Sequence, residues 1–472
     1  MIAIIEKVYQ FLWGDWIVLP LPGGSSFRLS LLVLILIPAG IWFTIRTRFL
    51  PIRLFPDMLH ALFEKKGKEE GESHNSTLSA LQTLIVSTAT RVGMGNLVGV
   101  VAAISAGGAG AVFWMWVTAL IGSSTAFVEA TLAQIYKEKD PVYGGYRGGP
   151  AYYMHRFIQE KRGGKKKRYV GISVLFAISG LICWCGISQV ISNSVTSAFH
   201  NAFHIPPIYT TVILVALAAV IIFRKTATVK VLDVLVPVMA GCYFLITVIL
   251  ICMNFSALPG VFSKIFEEKF GIRQAVAGGL GTVVMNGVKR GLFSNEAGSG
   301  SAPCAAAAAE SDQPVKLGLT QALGVFIDTI VICSCTAMIM LLTPESLTEG
   351  AVGMELLQVA MGYHLGQFGV IFIAATLWLF SFSTFLGILY YARSNISYLF
   401  GDGMLPQNLY KVLALVMMFI GGLAAYTVVW DLGDVGVGLM TVFNIIMLYP
   451  MSGIAMKALK SYETEKKNRK KG

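Results

Sequence analysis

Long apolar stretches alternate with short polar connections along almost the whole chain. Eleven stand out, at about 28–45, 79–105, 111–135, 170–200, 208–223, 231–253, 273–290, 316–343, 368–392, 408–428 and 435–456. A helix needs ~20 mainly apolar residues to cross a bilayer, and only helices or closed barrels satisfy every backbone group there. The pattern predicts an all-α polytopic membrane protein with about eleven transmembrane helices. Residues 1–27 read as a short surface helix and a Pro/Gly/Ser loop, without the basic start of a cleavable signal, and a polar, basic tail follows Lys457.

The stretch 79–105 is interrupted. Its middle reads Thr90-Arg91-Val92-Gly93-Met94-Gly95-Asn96-Leu97-Val98-Gly99. Each glycine weakens a helix by ~1 kcal/mol relative to alanine, and two beside an asparagine predict a helix that opens at mid-membrane. Open backbone is tolerated there only against protein or a wet cavity, which is how many transporters build a solute and ion site. Gly95-x-x-x-Gly99 also suits close helix packing. A dinucleotide loop is excluded by the missing βαβ context.

Ten helices remain once the first is set aside, and they divide five plus five. The first of each five is Gly-interrupted, by Gly93 and Gly95 in one and by Gly278, Gly279 and Gly281 in the other. Five being odd, the halves lie in opposite orientations, as in an inverted repeat with its solute site between the two interrupted helices. The predicted organisation is an amino-terminal segment, first helix and basic loop at 1–78, repeats at 79–253 and 254–457, and a tail at 458–472.

Positive charge sets the expected orientation. The tail carries Lys466, Lys467, Arg469, Lys470 and Lys471, and loops 46–78, 137–169, 224–230, 289–315 and 393–407 each carry Lys or Arg, whereas 344–367 and 429–434 carry none. The carboxyl terminus is therefore expected in the cytoplasm and the amino terminus outside. Loop 254–272 is the exception, with Lys264 and Lys269 beside Glu267 and Glu268.

Composition agrees. The chain is 55% hydrophobic and 13% charged, with a mean hydropathy of +0.68, against ~25% charged in soluble domains. Its net charge of +11 sits in loops, so the expected partner is the lipid bilayer and not nucleic acid, and no obligate protein partner is inferred. The 7 cysteines fall in or near apolar segments without metal spacing, and the 6 histidines lie in loops or at span ends. A membrane-embedded enzyme using Glu129, Asp328 or a histidine is the rival reading, but no nucleophile–base pair supports it. A passive channel is a third.

Several polar residues carry candidate chemistry. Amide groups freed around Gly93 and Gly95 suit a carboxylate, freed carbonyls suit a hard cation such as Na⁺, and Asn96 is placed to orient a solute. Ser383 and Thr384 offer hydroxyl ligands for Na⁺, or else bond their own backbone; Ser87 and Thr90 are polar neighbours of the opening with the same two readings. Gln189 and Asn193, one turn apart, either line a pore or bond across helices. Arg91, Glu129, Asp233 and Asp328 lie at or near membrane depth; for Asp233 an ion pair with Lys230 is favoured. The polar run 289–303 reads as a hinge or a loop.

At these residues the chain resembles the alanine or glycine:cation symporter family, the sodium–alanine symporters. The matching stretches are RVGMGNLVGVVAAI (91–104), GAVFWMWVTALIG (110–122), GGYRGGPAYYM (144–154) and GVKRGLFSNEAGSGSAP (287–303), with ISNSV (191–195) and FSFST (380–384) as shorter matches. The resemblance implies a LeuT-type fold and amino-acid uptake driven by Na⁺ or, in some members, H⁺, so the coupling ion takes the place of a cofactor. It carries the solute site onto Gly93, Gly95 and Asn96, and the Na⁺ ligands onto Val92, Gly93, Ser383 and Thr384. Three positions depart from the family pattern. Met94 replaces a threonine, Ile191 a glutamine (Gln189 lies two residues earlier), and Ile388 a tryptophan. All three would lie near the bound side chain, which widens the expected substrate from alanine or glycine to related neutral amino acids such as glutamine.

Overall fold

The computed structural model describes residues 2–20, 26–63, 93–142, 144–164, 168–223, 227–270, 279–309, 311 and 313–469. Helix α1 (Ile2–Trp13) leads into an antiparallel hairpin of β1 (Asp15–Pro20) and β2 (Ser26–Ser30). The hairpin lies where a loop was expected, because Trp16, Ile17 and Val18 favour an extended, half-covered ribbon. α2 (Leu31–Arg46) follows, capped where the Val33 N–H donates to Ser30 Oγ at 3.4 Å. Then come α3 (Leu50–Arg53) and α4 (Phe55–Phe63).

The chain resumes with a bend at Gly93 and a π-helical turn, Gly95–Gly99, continuous with α5 (Val100–Gly107). α6 (Gly110–Ile135) is followed by the two-residue strands β3 (Glu138–Lys139) and β4 (Tyr146–Arg147) and by α7 (Pro150–Lys161). Next are α8 (Gly171–Phe203), α9 (Pro207–Phe223), α10 (Ala227–Met253) and α11 (Leu258–Glu268). α12 (Gly279–Asn295) and α13 (Ala302–Ala308) are joined by unwound backbone. α14 (Pro314–Phe326) passes through a π-helical stretch, Ile327–Cys333, into α15 (Ser334–Leu341). The remainder is α16 (Glu345–Thr348), α17 (Met354–Leu365), α18 (Gln367–Phe400), α19 (Met404–Leu423) and α20 (Tyr426–Arg469). Below, the Tyr426 end of α20 is the upper face and its Arg469 end the lower.

Among the described residues six helices are long and apolar enough to cross a membrane: Gly110–Ile135, Gly171–Phe203, Pro314–Leu341, Gln367–Phe400, Met404–Leu423 and Val428–Asn468. Leu31–Arg46, Gly95–Gly107 and Pro207–Phe223 are shorter apolar helices. Eleven full spans are therefore not all matched one for one: 79–92 and 271–278 lie outside the described residues, and α12 carries too many polar side chains to read as a plain apolar helix. α9 and α19 expose long apolar stripes, including Val212, Ile213, Leu217 and Val220 on one and Leu409, Val412, Val416 and Phe419 on the other. Water would not tolerate surfaces of that size, whereas hydrocarbon does.

The helices pack as two groups. α6 lies against α12 and α14, and α12 against α5. α8 lies against α18, α19 and α20, and α9 against α19. The candidate site forms where α5 and α12 of the first group meet α18 of the second.

Candidate functional site

The start of the Gly95–Gly99 turn faces the lower end of α12. A β-carbon on Gly95 would stand 3.4 Å from Ser294 Cα and 3.5 Å from Phe293 O, so glycine lets the two backbones approach. Asn96, fully buried, ties three segments together. Its Nδ2 donates to Asp328 Oδ1 at 2.6 Å, to Asp328 O at 3.2 Å and to Ser294 Oγ at 3.3 Å. Its Oδ1 accepts the Gly93 N–H at 3.0 Å, which ties the bend at Gly93 to the turn that follows. The Ser294 and Thr329 hydroxyls donate to Asp328 Oδ2 at 2.8 and 3.1 Å. The carboxylate, 1% exposed, thus accepts from an amide and two hydroxyls, which satisfy a buried charge by hydrogen bonds. Cys333 Sγ lies 3.4 Å from Asn96 Nδ2 and 3.0 Å from Ser294 Oγ.

The other predicted residues distribute unevenly. Thr384 Oγ1 accepts the Met94 N–H at 3.2 Å, joining α18 to the helix start. Ser383 Oγ donates to Phe380 O at 3.0 Å, and Ser381 Oγ to Trp378 O at 2.6 Å, so both bond the turn before them. Ile191 and Ile388 are buried. Trp184 meets Tyr391 at 6.0 Å between ring centres and Phe199 meets Trp378 at 5.0 Å. That antiparallel register sets Ile191 level with Thr384, and Ile388 is one turn below Thr384 on the same face.

The Gln189 backbone packs on α19, where a β-carbon on Gly421 would stand 2.3 Å from Gln189 Cα. Asn193, one turn on, bonds across helices, its Nδ2 donating to Gly421 O at 3.1 Å and Ala424 O at 2.7 Å. Ser87, Thr90, Arg91, Val92, Gly278 and the side chain of Asp233 lie outside the described residues.

The glycines expected to interrupt a helix at 279 and 281 do not unwind α12. Gly279 begins α12, and Gly281 lies within it, where a β-carbon would stand 2.2 Å from Arg28 O; there glycine serves close packing against β2. The unwound stretch is Glu296–Ser301, inside the polar run 289–303. Glu296, Gly298 and Gly300 have φ of 58°, 95° and 84°, left-handed values that end a helix and favour glycine. Glu129, buried on α6, braces it: Glu129 Oε2 accepts the Gly298 N–H at 3.0 Å. Asn444 Nδ2 donates to Glu129 Oε1 and, at 3.0 Å, to Gly298 O, while the Tyr153 hydroxyl donates to Asn444 Oδ1.

A charged cluster covers the site from above. Asp434 accepts from Arg290 Nη1 and Nη2 at 2.9 and 3.0 Å and pairs with Lys289 Nζ at 3.2 Å, all three side chains being buried. Arg290 Cζ lies 3.8 Å from the centre of the Trp430 ring, which meets Phe293 edge-on at 5.0 Å. Lys289 Nζ donates to the Tyr9 hydroxyl at 2.8 Å and Trp13 Nε1 to Asp434 O at 3.0 Å, so α1 joins the cluster. Sequence reasoning missed Ser294, Arg290 and Asp434 because it assigned them to loops. The signal was present in the spacing of Asn286, Arg290 and Ser294, one polar residue per turn on a continuing helix.

The chain is similar to several known proteins. Amino-acid carrier protein AlsT of Bacillus subtilis (strain 168) is 40% identical over 447 residues, covering 94% of this chain and 91% of that protein. The probable sodium/glutamine symporter GlnT of the same organism is 41% identical over 442 residues, covering 93% and 89%. The solved structure of MhsT in complex with L-phenylalanine aligns with a TM-score of 0.54 at 13% identity, covering 80% of this chain and 89% of that one, a likeness of fold alone. Residues 23–472 match the sodium:alanine symporter family. With its apolar helices and its buried polar network at Asn96, Ser294 and Asp328, the chain belongs to that family, whose members are membrane transporters and not enzymes.

Proposed function

We propose that the chain is a secondary active symporter that couples Na⁺ to uptake of a small neutral amino acid by alternating access. The observation that carries this reading is the meeting of the helix start at Gly93–Asn96 with Ser294, Asp328 and Thr384, drawn from both packing groups. The backbone of the helix start at Gly93–Gly95 meets the solute carboxylate, the Gly93 N–H exchanging its Asn96 acceptor for the solute. Met94, Ile191 and Ile388 bound its side chain, an apolar wall that fits alanine and the larger neutral amino acids. Na⁺ is held by carbonyls at Val92 and Gly93 with the hydroxyls of Thr384 and Ser383. At 100 mV one charge supplies ~2.3 kcal/mol; at ~1.4 kcal/mol per tenfold, one Na⁺ concentrates a zwitterion about 50-fold.

The lower face, with the basic loop and tail, is cytoplasmic and the amino terminus is outside. The element lengths support the five-plus-five inverted repeat. α8 and α18 have 33 and 34 residues, and the short helices before them, α7 and α17, have 12 each. Gly93–Gly95 and Glu296–Ser301 then open the first helix of each half.

H⁺ coupling is the second reading, favoured by the burial of Asp328 and Glu129 at membrane depth. The test is reconstitution into liposomes and a screen of radiolabelled amino acids with a Na⁺ gradient, a pH gradient or neither. Na⁺-dependent accumulation of alanine or glutamine is expected. Equal uptake in choline driven only by a pH gradient would assign H⁺, and gradient-independent dissipation would mean a channel.

A further inference from the structure

On the lower face, away from the solute site, a cleft of about 390 Å³ opens between α7, the β3–β4 hairpin and the end of α18. That is within the usual size of small-ligand pockets. Its walls carry three guanidinium groups, Arg147, Arg156 and Arg168, against one carboxylate, Glu138. Glu138 is committed to Arg156, whose Nε and Nη2 donate to Glu138 Oε1 at 2.9 and 2.7 Å. Arg147 reaches Asp402 outside the cleft, yet its buried Nε–H has no acceptor. Arg168 is exposed and has no carboxylate partner among the described residues; its guanidinium stacks on Tyr169. The cleft thus has more cationic donors than acceptors, which is the chemistry of an anion site and suits phosphate in particular.

Its level in the fold says where the phosphate comes from. Ser397 and Tyr398 form one wall and lie in the last turn of α18, the longest apolar helix before the tail helix. A helix of 34 residues outruns the ~30 Å hydrocarbon core, which puts its last turn beyond that core, and basic pockets at the cytoplasmic ends of membrane helices suit anionic lipid headgroups. Tyr153, about 100° round α7 from the cleft residue Tyr152, reaches the unwound Glu296–Ser301 stretch through Asn444. We infer that this cleft is a binding site for an anionic phosphate group, supplied by an acidic phospholipid of the cytoplasmic leaflet, and that its occupant braces α7 against α18. It assumes the proposed orientation but not the identity of the solute or coupling ion.

The test is binding to the full-length purified chain in detergent, read as a saturable rise in thermal stability. The probes are dioctanoyl phosphatidylglycerol, dioctanoyl phosphatidylcholine and inorganic phosphate. A cation near a lipid surface contributes enough that its removal weakens binding about fivefold. Phosphatidylglycerol is expected to stabilise the protein and phosphatidylcholine not to, and Arg168→Gln to raise the half-saturating phosphatidylglycerol concentration about fivefold. Arg168 is exposed, so that variant keeps the fold, and Arg156→Lys, which retains the charge, is expected to change the titration less. Equal stabilisation by the two lipids, or an unchanged titration in Arg168→Gln, would overturn the site. Inorganic phosphate that stabilises the protein and loses its effect in Arg168→Gln would keep the anion site but move its ligand from the membrane to the cytosol. Because the readout is binding, a failure here is separable from a failure of the transport assignment.

Discussion

Replacing Asp434 by asparagine keeps the side-chain shape and deletes the carboxylate that holds α12 to α20. Its two oxygens meet Arg290 at 2.9 and 3.0 Å and Lys289 at 3.2 Å. The side chains of Lys289, Arg290 and Asp434 are 5%, 6% and 2% exposed. Removing one partner of a buried pair costs about 3–5 kcal/mol, since the remaining charge is stranded without water, and here two cations would be stranded. The cost falls on the state in which α1, α12 and α20 are closed over the site and is relieved where they part and admit water. A bias of ~3 kcal/mol changes the open-to-closed ratio more than a hundredfold. Cys333, buried beside Asn96 and Ser294, is a built-in reporter. In a chain whose exposed Cys242 and Cys252 are replaced by serine, Asp434→Asn is expected to raise the labelling rate of Cys333 by an impermeant thiosulfonate reagent, added from outside, at least tenfold. Uptake is expected to fall in the same variant. An unchanged labelling rate with normal uptake would refute the reasoning and make the cluster static packing.

Other outcomes follow from the same geometry. Thr384→Ala removes the acceptor of the Met94 N–H and is expected to raise the Na⁺ concentration for half-maximal uptake, with solute affinity at saturating Na⁺ much less affected; coupling is reciprocal, so affinity at low Na⁺ falls as well. Gly95→Leu drives a side chain into Ser294 and Phe293 and is expected to abolish uptake at normal membrane levels, whereas Gly95→Ala, at 3.4 Å, keeps part of it. Ile191→Gln is expected to reorder the competition among neutral amino acids by ~1–3 kcal/mol; an unchanged order would place Ile191 outside the pocket. Glu129→Gln weakens the charge-assisted hold on Gly298 and is expected to cost ~1.5–3 kcal/mol of stability, read by thermal unfolding, while the pH dependence of uptake stays as it was. A lost pH dependence would instead make Glu129 a proton carrier.

The periodicity of apolar residues was enough to place the long helices, since a bilayer demands apolar length and every backbone bond within the helix. The Gly-x-Gly-Asn run marked Gly93–Asn96 as a departure from a plain α-helix, and the chain bends at Gly93 and turns π-helical at Gly95–Gly99. The tertiary structure decided the rest. The unwound backbone lies at Glu296–Ser301, after α12, and not at Gly279 and Gly281, which serve helix entry and close packing. Local composition cannot separate those uses: a glycine against Arg28 O and a glycine at positive φ read alike in sequence, and only the neighbours tell them apart. Gln189 and Asn193 were ambiguous for the same reason, a helix face being assigned only by what packs on it. Thr384 and Ser383 are adjacent hydroxyls on one helix, yet one reaches Met94 and the other its own backbone, because successive residues point ~100° apart on a helix. The pairing of Arg290 with Asp434 joins residues 144 positions apart. No sequence spacing encodes it; it exists because α12 and α20 converge above the site, where a buried cation must find a carboxylate.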